Sequence, residues 1–200
     1  MMKTKKLIYI GVLVAQALVL YIFESMIPMP FITPGAKLGL ANLMVVIGLY
    51  TLDNYKECLW LIFLKLILST LIMGSVSTFI FGLGGTILSF LGMILTKNIL
   101  KEKVSAIGVS TVGGVFHNLG QLIVTSIVIK NIGILSYLPF LSIAGIGTGI
   151  FIGITANYLL KHMKALNNLD YHRNMANWIV FRRKYKIVNW NSFMKIKTYK

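Results

Sequence analysis

Apolar residues run along this chain in blocks, separated by short polar stretches that hold most of its lysines. The first block, Leu7–Phe23 (LIYIGVLVAQALVLYIF), follows Lys3, Lys5 and Lys6. A basic start before an apolar core has the form of a secretory leader. However, the ESMIPMPFITP that follows offers no small-x-small cleavage site, so the block reads as a retained first helix. Pro28, Pro30 and Pro34 then exclude helix from the first connection. The second block, Leu38–Leu52, would make about 22 Å of helix at 1.5 Å per residue. The third is Cys58–Met73, the fourth Phe79–Thr96 and the fifth Val104–Ile129. A sixth lies within Ile134–Leu160, where Pro139 either kinks the helix or sits in its first turn.

The pattern predicts an all-α, polytopic membrane protein of about six transmembrane helices. Some blocks fall short of the roughly 20 residues of a simple span. Such spans are tolerable where helices shield one another. Composition agrees: 56% of residues are hydrophobic and 12% charged, against about half and about a quarter in soluble domains. A disordered chain, a disulfide scaffold and a water-soluble enzyme are excluded.

The net charge of +15 first suggests nucleic acid, but its placement argues otherwise. Half of the 20 Lys+Arg lie beyond Leu160, and most others sit in short loops between apolar blocks. With the N-terminus cytoplasmic, the inside segments carry Lys3, Lys5, Lys6, Lys56, Lys97, Lys101, Lys103 and the basic tail. Only Lys37 and Lys130 fall outside. Positive-inside asymmetry therefore places both termini in the cytoplasm, with the chain in the cytoplasmic membrane. Residues 1–166 form the expected membrane domain. Residues 167–200 form a tail rich in Asn, Lys, Arg and aromatics, either interfacial on anionic lipid or disordered.

Polar residues at membrane depth carry the functional signal, since each is costly unless it faces protein or a watery cavity. Gln16, Asn42, Lys65, His117, Asn118 and Gln121 are the candidates. His117 and Gln121 share a face at i and i+4, among helix-loosening Gly113, Gly114 and Gly120. Lys65 either snorkels or serves as counter-charge to an anionic ligand. The expectation is a polar cavity on the outer half of the bundle, lined by His117 and Gln121 with Lys37 or Asn42. Its ligand would be anionic or strongly hydrogen-bonding, because Glu24 is the only acid nearby. Gly145, Gly149 and Gly153 recur every four residues and read as a helix-packing stripe. Gly11 and Ala15 form a second small-residue face on the first helix.

No catalytic residue, cofactor or metal site is assigned. The predicted spans contain no Asp or Glu, which disfavours self-driven ion-coupled transport. No GxxxxGK[ST] loop is present to cradle ATP, and the three His lack ligand spacing. The single Cys58 permits no internal disulfide.

At TPGAKLGLANL (Thr33–Leu43) and VGGVFHNLGQLIV (Val112–Val124) the chain resembles a known family. It is the family labelled both heptaprenyl diphosphate synthase component I and Gx transporter, similar in turn to the substrate-binding S components of energy-coupling-factor transporters. The resemblance covers roughly Leu7 to Leu160. It implies an arginine where this chain has Lys65, so charge is kept but a bidentate grip is not. The S-component likeness implies a six-helix bundle and a ligand-closing loop at Glu24–Lys37. It also implies that Gly11 and Ala15 dock a membrane coupling protein, with separate ATPases supplying energy. The synthase label implies an accessory role in isoprenoid (menaquinone side-chain) synthesis. Prenyl diphosphate synthases hold magnesium on clustered aspartates, whereas this chain has only Asp53 and Asp170. It cannot perform that catalysis alone.

The charge asymmetry yields the first test. Reporter fusions after Lys56 and Lys101 are expected to read cytoplasmic, and fusions near Pro30 and Lys130 external. An external C-terminus would overturn this topology.

Overall fold

The computed structural model describes residues 4–26, 38–73 and 76–185. Among these it contains six α-helices, two short 3-10 turns and no strand. The helices are α1 (Thr4–Ser25), α2 (Asn42–Thr51), α3 (Tyr55–Met73), α4 (Val76–Leu100), α5 (Ala106–Ile129) and α6 (Leu138–Tyr185). The chain divides into two compact units, Met1–Leu160 and Lys161–Lys200. In the second, the backbone is helical as far as Tyr185, so this part of the tail is neither loop nor coil. The tail's Arg and aromatic side chains lie outside the described residues, as do Pro28, Pro30, Pro34 and Lys37.

Four helical stretches are long and apolar enough to cross a membrane: Thr4–Ser25, Phe79–Leu100, Ala106–Ile129 and Ile132–Met163. Helix α3 carries Lys56, Glu57 and Lys65, which lower its apolar character. Helix α2 has 10 residues, only about 15 Å of rise, and is too short to span. It begins four residues later than the apolar block suggests. Gly39 adopts φ +86°, a left-handed conformation that starts the turn before α2 and suits glycine.

Local signals set the other boundaries. Ser105 caps α5 by accepting from the Gly108 amide. Lys130 closes α5 in the left-handed region at φ 55°. Pro139 sits in the first turn of α6, where its missing N–H costs nothing. Leu122, Ile134 and Leu141 bury together there, joining α5 to α6 through the 3-10 turn Ile132–Tyr137.

The first unit is sorted for lipid. Large apolar side chains face outward, including Ile8, Val12 and Phe23 on α1, Trp60 and Phe63 on α3, and Phe151 and Ile154 on α6. Meanwhile Asn42, Lys65, Thr86, Ser89, His117, Asn118 and Gln121 are buried. Only a surrounding hydrocarbon phase makes that arrangement favourable.

Glycines bring the inner helices close. A Cβ on Gly120 of α5 would lie 3.0 Å from the Gly85 Cα of α4. On α6, a Cβ on Gly149 would lie 2.6 Å from Thr111 Cα, and one on Gly145 would lie 2.8 Å from the Gly114 carbonyl oxygen. The Gly145/Gly149/Gly153 stripe is therefore the surface by which α6 packs on α5. Gly147, between them, meets nothing within 4 Å.

This contrast is testable. Gly149→Leu is expected to cost roughly 3 kcal/mol by overpacking, and to lower the unfolding midpoint in detergent. Gly147→Ala is expected to leave the midpoint unchanged.

Candidate functional site

Three helices, α2, α3 and α5, supply one buried polar cluster. Lys65 lies midway along α3, 4% exposed, and its Nζ donates to Asn42 Oδ1 at 3.0 Å. Asn42 opens α2, and its Nδ2 meets His117 Nδ1 of α5 at 3.1 Å. One helical turn further, Gln121 Nε2 lies 3.0 Å from His117 Nε2. The i, i+4 spacing read from sequence thus becomes a contact on one face of α5.

Two further features hold this chain of groups in place. Gly39 lies against the imidazole, since a Cβ there would be 3.0 Å from His117 Cδ2 and 3.1 Å from Asn42 Nδ2. On the other side, a Cβ on Gly85 of α4 would be 2.8 Å from Gln121 Cγ and 2.9 Å from His117 Cε1. The ring is thus flanked by two glycine backbones where other residues would intrude. Glu24, buried at the end of α1, accepts the Gly39 amide at 2.5 Å. This bond ties the two ends of the proline-rich connection together.

A cleft opens beside the cluster, lined by Tyr21 and Glu24 of α1, Gly39, Lys65, Thr86 of α4, His117 and Gln121. It encloses about 340 Å³ including its open mouth. Its free space has room for roughly one or two waters. A larger ligand would need the cleft to widen.

Not every candidate from the sequence gathers here. Asn118 is 1% exposed but faces α6, where its Nδ2 donates to the Leu141 carbonyl at 2.6 Å. One residue along a helix is a turn of about 100°, enough to carry it off the His117 face. Lys37 lies outside the described residues. Gly11, Ala15 and Gln16 are exposed on the outer face of α1, and Gly11 meets nothing within 4 Å. Tyr21, Gly39 and Thr86 line the cleft without having been assigned to it, beside Glu24, which the sequence placed nearby. Glu24 carried a usable signal, as an acid at the end of an apolar helix directly before the Pro-rich connection.

Of the charged groups counted around the cavity from sequence, Lys65 and Glu24 both line it. Formal charge in the described lining is therefore balanced. Lys37, the other cation in that count, lies outside the described residues.

A model of the heptaprenyl diphosphate synthase component I family matches residues 13–159. The chain belongs to that family. No curated protein and no solved structure matches it. The component I match takes in every cleft-lining residue named above and stops one residue short of the end of the first compact unit. The basic tail lies beyond it.

Asn42 is the joint of the cluster. Asn42→Leu removes a partner from both Lys65 and His117, and is expected to destabilise the protein by about 2 kcal/mol. Gln16→Leu, on the exposed face of α1, is expected to be neutral. Denaturant unfolding in detergent micelles compares the two.

Proposed function

We propose that this component I family member is a membrane receptor subunit. It would bind a small, strongly hydrogen-bonding molecule for uptake, energised by separate coupling and ATPase proteins. The observation that carries the reading is the convergence of Lys65, Asn42, His117 and Gln121 beside a cleft within an apolar bundle. Polar groups buried in lipid are expensive and mark ligand pathways. The connection between α1 and α2 begins and ends at that cleft, at Glu24 and Gly39, which supports a role for it in admitting ligand.

The exposed small-residue face of α1, at Gly11 and Ala15, supports docking of a membrane partner there, because small residues permit close helix approach in lipid. The unit would sit in the cytoplasmic membrane with both termini inside, its basic segment 167–200 near anionic lipid.

The family match favours a second reading, in which the chain is an accessory to heptaprenyl diphosphate synthesis. A soluble catalytic partner would then supply the clustered aspartates that this sequence lacks.

Purification of the tagged chain from native membranes, with mass spectrometry of what co-elutes, separates the two. The receptor reading expects a small molecule together with ATPase and coupling proteins. A Gly11→Leu/Ala15→Leu variant should lose the coupling proteins while keeping the small molecule. Recovery of an aspartate-rich synthase, without ATPases or a small molecule, would replace the receptor reading with the second.

A further inference from the structure

A threonine on a helix can donate its hydroxyl hydrogen to the carbonyl one turn back. Thr70, Thr96, Thr111 and Thr148 do so here, at 2.8 to 3.0 Å. Thr86 on α4 does not. Among the described residues its hydroxyl has no hydrogen-bond partner, although the residue is only 2% exposed.

A hydroxyl kept from bulk water without a partner costs free energy. Ser89, three residues on, shows the closed form of that cost, its hydroxyl enclosed and unpartnered. Thr86 instead lines the cleft, where a group from outside the protein can meet it.

The rest of the lining sets Thr86 apart. Tyr21, Glu24, Lys65, His117 and Gln121 are each engaged with another residue. A contact that any of these makes with a ligand competes with bonds the protein already has. Thr86 has none to give up. Gly82, one turn before it, adds no side chain over the hydroxyl, and a Cβ there would lie 3.4 Å from Leu66 Cδ2. Gly82 and Leu66 make this side of the cleft apolar. A lone hydroxyl in such surroundings can serve one uncharged atom, whereas an ion would need more partners than one.

We propose that Thr86 is a ligand-contacting, specificity-determining residue of the cleft. Its hydroxyl is held without a protein partner and bonds an uncharged alcohol or carbonyl oxygen of the bound molecule. This assignment rests on the receptor reading. The cost of leaving the hydroxyl unpartnered does not.

Thr86→Val keeps the branched shape and removes the hydroxyl, while Thr86→Ser keeps the hydroxyl. Because no internal bond is lost, Thr86→Val is expected to unfold in detergent at a midpoint equal to or above that of the unsubstituted chain. In the purification from native membranes, it should carry at least about tenfold less of the small molecule that co-elutes with the unsubstituted chain. Thr86→Ser should carry as much as the unsubstituted chain. Thr96→Val removes a hydroxyl that bonds the Gly92 carbonyl, ten residues further along α4, and should also leave recovery unchanged.

Undiminished recovery with Thr86→Val would overturn the assignment, as would an equal loss with Thr86→Ser or Thr96→Val. A Thr86→Val chain that unfolds earlier, or fails to fold, would also overturn it, because the hydroxyl would then be structural. A recovered molecule with neither alcohol nor carbonyl oxygen would overturn the ligand class. If the unsubstituted chain itself carries no small molecule, the receptor reading fails and takes this assignment with it.

Discussion

An ammonium group at the middle of a lipid-embedded bundle has to be solvated by the protein around it. Lys65 is such a group, and much of the local architecture follows from its needs. Asn42 supplies an oxygen to it, and can do so only because α2 begins at that residue. The start of α2 is set in turn by the left-handed turn at Gly39, and the Gly39 amide is fixed to Glu24. A single buried charge on α3 thus links to the end of α1 and the start of α2. The link continues into α5, because the amide that serves Lys65 also serves His117.

Close packing lets these short reaches meet. His117 sits between the backbones of Gly39 and Gly85, and Gly120 brings α5 against α4. Larger residues would separate the helices and carry the imidazole beyond hydrogen-bond distance of Asn42. In lipid, where apolar contact gives little drive to association, backbone proximity and interhelical hydrogen bonds do more of the holding. The same glycines that pack the bundle therefore set the geometry of the polar cluster. Helix packing and site geometry are one problem in this protein.

Much of this was legible from residues alone, and the failures have physical causes. Apolar block length gave six helices, and the i, i+4 rule put His117 and Gln121 on one face. Asn118 misled because polarity reports cost, not direction: it is buried against the Leu141 carbonyl rather than in the cleft. Glu24 was counted as an acid at a helix end, but nothing local says that its carboxylate turns inward to a backbone amide 15 residues away. The late start of α2 escaped because Leu38 and Leu40 continue the apolar pattern while the backbone at Gly39 does not. Hydropathy has no sight of φ.

Where the acids sit also bears on what a member of the component I family can contribute by itself. Magnesium-dependent diphosphate chemistry needs carboxylates gathered at the substrate. Here Asp53 and Glu57 do lie near each other, but both are bound to Lys6, at 2.5 and 3.1 Å. That ion pair joins the start of α1 to the junction of α2 and α3, a full length of α2 from Asn42. Asp170 belongs to the second compact unit. Asp53 and Glu57 are thus spent on fastening one end of the bundle, while the cluster and its cleft hold a lysine, two amides, an imidazole and Glu24, whose carboxylate holds the Gly39 amide. Such a set recognises a polar group by directed hydrogen bonds and has little means of activating one. That arrangement is what the receptor subunit proposed above would need of its cleft.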